Sequence, residues 1–183
     1  MRTIMLFGLL AASCLLHGAE GGIIEKRVGA GCASNLKQIA VACAMYADAP
    51  ENGKFPEKLK DLVPTYLATD KILRCLGMKA DTPGAYVYVP GGSPAKENDI
   101  VAFCPCKGHA EGGCQYVTAS GEVKPIAKLA EFRKLVKEQL DARKVDYDVP
   151  TALDPKNEKH AWIMAIRREL ELPIAEEKKE EKK

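Results

Sequence analysis

Cysteine and histidine are the residues best placed to do chemistry in this sequence. Cys104-Pro105-Cys106, His109 and Cys114 fall in one C-x-C-x2-H-x4-C run. Thiolate and imidazole are the ligands zinc favours, and a structural zinc site takes four of them in a tetrahedron. Cys104, Cys106, His109 and Cys114 therefore form a candidate ligand set, although the opening spacing is tighter than the usual C-x2-C. The same cysteines could instead staple a loop by disulfides and leave His109 on the surface. A thiol-redox role for Cys104 and Cys106 is a third reading, weakened because the C-x-x-C spacing of such enzymes is absent.

The chain has seven cysteines, at 14, 32, 43, 75, 104, 106 and 114. Cys14 falls in an apparent leader, which leaves Cys32, Cys43, Cys75, Cys104, Cys106 and Cys114 as disulfide candidates. An even number of cysteines in an exported domain is the usual mark of disulfides. Sequence alone does not select a pairing, but it removes one. Cys32 and Cys43 lie 11 residues apart on one expected helix. That spacing separates them by ~16 Å, whereas a bridge needs Cα atoms within ~7 Å. It also puts both on the same helix face.

Other catalytic constellations are missing. Beyond the leader the histidines are His109 and His160, and neither sits near a nucleophile elbow. There is no phosphate-cradling glycine loop and no H-E-x-x-H. Cys106 and His109 are a candidate Cys-His pair, but a cysteine within such a dense cluster is more often bridged. No enzyme is expected. The formal charge of +2 and the intermixing of Lys with Glu and Asp argue against a nucleic-acid partner.

The N-terminus reads as a secretory signal over residues 1–19. Met1-Arg2 carries charge, Ile4 to Leu16 is almost wholly apolar, and Gly18-Ala19 are small. The apolar run of ~13 residues is shorter than the ~20 needed to span a membrane. Ala11-Ala12-Ser13-Cys14 resembles a lipobox, so lipidation of Cys14 stands beside ordinary cleavage after Ala19. The expected location is the periplasm or outer envelope, with membrane contact only through a lipid on Cys14.

Several elements must position the cysteines. Residues 22–49 read as a long helix with Leu36, Ile39, Ala40, Cys43, Tyr46 and Ala47 on one stripe, stopped by Pro50 and Gly53. A second helix is expected from Pro56 to Leu67 and a short strand at Ile72 to Cys75. Ala85 to Val89, Ile100 to Cys104 and Gln115 to Ala119 read as strands, with a turn at Ser120-Gly121 into Glu122-Val123-Lys124. That order predicts an antiparallel meander. Leu129, Phe132, Val136 and Leu140 mark a helix ending near Lys144, and Glu158 to Leu172 a last one carrying Trp162, Ile163, Ile166 and Leu170. The Glu/Lys run from Glu176 is low complexity.

Cys32-Ala33-Ser34-Asn35-Leu36-Lys37-Gln38-Ile39-Ala40, Met45-Tyr46-Ala47-Asp48 and Asn52-Gly53-Lys54-Phe55-Pro56 resemble the segment after the membrane helix of bacterial type II secretion pseudopilin-like proteins. Arg74-Cys75 matches a later Arg-Cys element of that group. His109, Gly112-Gly113 and Tyr116 to Val123 match its terminal His…Asp-Gly element. Two departures stand out: the prepilin N-terminal motif and its long apolar helix are absent, and Ser120 replaces the usual Asp. The resemblance covers about residues 30–126. It implies an α+β, pilin-like fold with a long N-terminal helix packed on a small antiparallel sheet. It also implies that Cys32 pairs with Cys75. Cys104 or Cys106 would then pair with Cys114, and Cys43 would take the remaining partner or stay buried and free.

The expected organisation is a signal at 1–19, a pseudopilin-like domain at 20–126, a helical extension at 127–174 and a charged tail at 175–183. The expected function is a non-enzymatic envelope protein that binds other envelope or secretion-system proteins. No cofactor is required by that reading. The alternatives are a zinc-binding module or a thiol-redox protein.

Overall fold

The computed structural model describes residues 17–78, 85–106, 109, 113–147 and 158–172. Residues 1–16, which hold most of the expected signal and Cys14, lie outside the described residues, as does the tail at 175–183. The fold is α+β, with a long N-terminal helix, a four-stranded antiparallel sheet and two later helices.

Helix α1 runs His17–Asp48. Cys32, Leu36, Ile39, Ala40, Cys43 and Ala47 form its buried stripe, as the 3.6-residue period requires. Its end is closed by side chain and backbone together. Asn52 Nδ2 donates to the Tyr46 carbonyl at 2.8 Å, and the Gly53 amide to the Ala47 carbonyl at 3.0 Å. Gly53 has φ +62°, a conformation glycine adopts without strain.

The strands are β1 Val87–Tyr88, β2 Ile100–Phe103, β3 Gln115–Thr118 and β4 Val123–Pro125, each pairing antiparallel with the next. The meander predicted from the β-branched runs is therefore present. Gly121, at φ +81°, makes the β3–β4 turn that Ser120-Gly121 announces. Ser120 Oγ is spent on that turn, 2.8 Å from Thr118 Oγ1.

One irregularity governs which way β2 faces. Ile100 pairs with Thr118 but Ala102 pairs with Val117, so an extra residue is accommodated at Val101. Such a bulge flips the alternation of everything that follows. Ile100 and Phe103 consequently pack on one face, while Val101, Ala102 and Cys104 pack on the α1 face. Uninterrupted alternation from Ile100 would have put Cys104 on the face away from α1.

The opposite face is covered by helices α2, Leu129–Ala142, and α3, Glu158–Glu169. Phe132, Val136 and Leu140 of α2 meet Val87, Val89, Ile100 and Phe103, joined by Ile166 and Leu170. Phe103 and Phe132 pack edge to face with centroids 5.1 Å apart. The described part of the expected helical extension thus shares a core with the sheet.

Two expectations are corrected. Residues 56–67 form a 3-10 turn, Leu59–Leu62, where a regular helix was expected. The Lys58 amide donates to the Asp61 carboxylate at 3.2 Å, and Pro64 removes the amide that continuation would need. Ile72-Leu73 lies in a second 3-10 turn, Asp70–Leu73, where a strand was expected. Thr69 Oγ1 accepts from the Lys71 amide at 3.3 Å, so this polar cap starts a helical turn. Only Arg74 keeps a strand-like bridge, to Ala85.

Arg143 clamps α2 to the sheet. Its Nη1 donates to the carbonyls of Val89 and Pro90, and its Nη2 to that of Ile100, all at 3.1 Å. Its Nε stands 3.4 Å from Asp99 Oδ2, with the Arg143 side chain only 3% exposed. Removing one partner of such a buried pair strands the other charge. Arg143→Met is therefore expected to lower stability by ~3–5 kcal/mol in urea unfolding, and a loss under ~1 kcal/mol would show that the clamp contributes little.

Candidate metal centre

Three segments distant in sequence deliver cysteines to one point. Cys32 comes from the buried stripe of α1. Cys75 follows the second 3-10 turn. Cys104 follows β2, on the face that the bulge selects. His109, from the β2–β3 connection, is the fourth member. The donor atoms of Cys32, Cys75, Cys104 and His109 all lie within 4.8 Å of one another.

Backbone contacts fix the approach of these segments. Asn35 Nδ2 reaches the Arg74 carbonyl at 3.5 Å, tying the Asn-Leu-Lys-Gln stretch of α1 to the residue before Cys75. Tyr86 Oη donates to the Cys32 carbonyl at 3.4 Å. The Cys104 amide donates to the Gln115 carbonyl at 2.8 Å, extending the β2–β3 ladder past Phe103.

Cys32 Sγ and Cys75 Sγ stand 3.7 Å apart, and His109 Nε2 is 2.8 Å from Cys75 Sγ and 4.0 Å from Cys32 Sγ. With Zn–S bonds of ~2.3 Å, a tetrahedral site has S···S edges of ~3.8 Å. The Cys32–Cys75 separation is already that edge. The Cys75–His109 edge is a hydrogen bond at 2.8 Å and would open to ~3.5 Å around an ion.

Gly77 makes the imidazole's position feasible. A Cβ on Gly77 would overlap the His109 ring. Gly31 plays the matching part for Leu76, whose Cδ1 comes to 2.5 Å from where a Gly31 Cβ would be.

The cluster favours a separation of charge, a Cys32 thiolate beside a protonated His109. Hydrogen bonds from Cys104 and Cys75, and then from His109, hold the Cys32 thiol far below its ordinary range despite burial. Cys104 moves the other way: the neighbouring Cys32 and Cys75 sulfurs, and then burial, push its thiol up. The same sulfurs, Cys32 first and then Cys75, raise His109 to about 10. Cys43 is different: burial alone pushes its thiol up to about 12, so it is an inert core residue.

The ligand set expected from sequence is corrected in half its members. Cys104 and His109 belong to the cluster, but Cys106 and Cys114 do not. Cys32 and Cys75 take their places. The compact C-x-C-x2-H-x4-C run misleads because Cys104 and Cys106 diverge: Cys104 is buried against α1, while the Cys106 amide donates to Glu169 Oε2 on α3 at 3.0 Å. Cys106 and Cys114 stand beside each other, and each thiol donates to a backbone carbonyl, Cys106 to that of Cys104 at 3.6 Å and Cys114 to that of Pro105 at 3.9 Å.

None of the six disulfide candidates is bridged; Cys32, Cys43, Cys75, Cys104, Cys106 and Cys114 are all free thiols. The resemblance did imply that Cys32 and Cys75 meet, and they do, without a bond. Gly77 and Gly31 were missed; their signal is a glycine beside each of Cys75 and Cys32.

In comparisons with known proteins, no family model, no curated protein and no solved structure matches the chain. No helix among the described residues is long and apolar enough to cross a membrane.

Gly77→Ala should displace His109 and weaken metal binding at least ~10-fold, the scale seen when a ligand's support is lost. Competition of zinc-loaded protein against a chromophoric chelator measures this. Unchanged affinity would show that His109 is not held where the geometry places it.

Proposed function

We propose that this protein is a non-enzymatic domain stapled by a structural zinc ion on Cys32, Cys75, Cys104 and His109. The observation that carries the reading is the convergence of three thiols and an imidazole within 4.8 Å. A closed set of four protein ligands marks a structural site, since catalytic zinc keeps a position open for water or substrate. Burial agrees: Cys32, Cys75 and Cys104 are buried and His109 is partly so.

Zinc fits these residues better than a Cys32–Cys75 disulfide does. A bridge would consume two of the four groups and leave the buried Cys104 thiol and the His109 imidazole without their partners. Zinc uses all four and turns mutual proton competition into three thiolate bonds and one imidazole bond. It also links α1, the Cys75 segment and the end of β2, so its binding energy is folding energy.

The second reading, a pseudopilin-like domain that docks on envelope or secretion-system proteins after export, draws support from the long helix laid against a four-stranded meander. A deletion strain defective in secretion or surface assembly would favour it, and a normal phenotype would count against it.

Protein purified without chelator is expected to carry one zinc per chain by elemental analysis. Cys75→Ser should lose the zinc and drop Tm by more than ~5 °C, whereas Cys43→Ala should keep it. Zinc-free protein with a mapped Cys32–Cys75 bridge would overturn the metal reading.

A further inference from the structure

Two thiols remain outside the metal cluster and outside the core. Cys106 and Cys114 are both partly exposed, whereas Cys32 and Cys104 are 0% exposed. Both sit where the β2–β3 ladder opens. Phe103 pairs with Tyr116, and the Cys104 amide still donates to the Gln115 carbonyl. Continued by one more step, that register places Cys114 opposite Pro105, one residue from Cys106. Their hydrogen bonds agree: Cys106 Sγ donates to the Cys104 carbonyl at 3.6 Å and Cys114 Sγ to the Pro105 carbonyl at 3.9 Å. Neighbouring antiparallel strands hold paired Cα atoms ~4.5–5.5 Å apart; the one-residue offset, ~3.3 Å along the strand, puts Cys106 and Cys114 ~6 Å apart, within the range a disulfide accepts.

We propose that Cys106 and Cys114 form a redox-active dithiol, separate from the metal ligands, that closes to a disulfide by exchange with a small-molecule disulfide such as oxidised glutathione. The inference goes beyond the zinc reading and does not require it. One thiolate of the pair attacks a sulfur of the small disulfide, forming a mixed disulfide and expelling one small thiolate. The other then attacks the protein sulfur of that mixed disulfide, forming the Cys106–Cys114 bond and expelling the second. The pair loses two electrons to the small disulfide, and the two protons of the protein thiols end on the two small thiols.

The geometry separates this pair from the other cysteines. The Cys106 amide is anchored to Glu169 Oε2 at 3.0 Å, so the residue is held at the ladder's mouth on the α3 side. Cys32, Cys75 and Cys104 are buried and commit their thiols to one another and to His109. Cys43 is buried in the core. Closing Cys106 to Cys114 would bracket His109, which lies between them in sequence, without using any cluster sulfur.

The test treats the full chain, as purified, with oxidised glutathione, blocks remaining thiols with an alkylating agent, and maps disulfides by mass spectrometry. The expected result is one bond, Cys106 to Cys114, with bound metal unchanged. Cys114→Ser should stop at a glutathione adduct on Cys106, and Cys106→Ser at one on Cys114. A bond that involves Cys32, Cys75 or Cys104, or adducts on both Cys106 and Cys114 of the unaltered chain that never resolve, would overturn the proposal. If the bond forms in protein that carries no zinc, the metal reading fails and this one stands. If zinc is present and no bond forms, the reverse holds.

Discussion

The structure depends on bringing four soft donors together in a buried place. Sulfur and imidazole gathered without an ion compete for protons, and the cluster shows it. Cys32 is driven towards thiolate while His109 is held protonated to about 10. On the proposed reading, a divalent ion resolves that competition by accepting all four lone pairs. Much of the surrounding architecture makes sense as the means of presenting them. The α1 stripe points Cys32 inward, the bulge at Val101 turns Cys104 to the α1 face, and Gly77 leaves room for the imidazole.

The sheet separates this centre from a second core. Tyr86 and Tyr88 face α1, while Val87 and Val89 face α2 and α3. The strand alternation thus serves two apolar layers, which is why β1 reads as a continuous apolar run. Arg143 and Glu169 stitch the outer layer to the sheet through buried polar contacts, and Glu169 does so next to the loop that carries His109. The cysteine–histidine cluster and the C-terminal helices are therefore joined through one short segment.

The fold was legible where periodicity is strong. Leu36, Ile39 and Cys43 give α1, the β-branched runs give the strands, and Ser120-Gly121 gives the last turn. It was less legible between residues 56 and 75, where the apolar spacing of Leu59, Leu62 and Leu67 suits a helix but local capping by Thr69 and the position of Pro64 decide for 3-10 turns. The site was half legible. His109 and Cys104 stand out in a compact motif, but adjacency in sequence favoured Cys106 and Cys114. The residues that gather with them, Cys32 and Cys75, are 43 residues apart, and only the fold brings them to Cys104. A one-residue bulge, invisible to any pattern count, decides the direction of Cys104.

The most direct test of the central claim is X-ray absorption at the zinc edge of the purified full chain. Three sulfur neighbours at ~2.3 Å and one nitrogen at ~2.0–2.1 Å, reduced to two sulfurs or lost in Cys104→Ser but unchanged in Cys106→Ser, are the predicted result. A shell of oxygen and nitrogen alone, or one that loses sulfur when Cys106 and not Cys104 is replaced, would contradict the account.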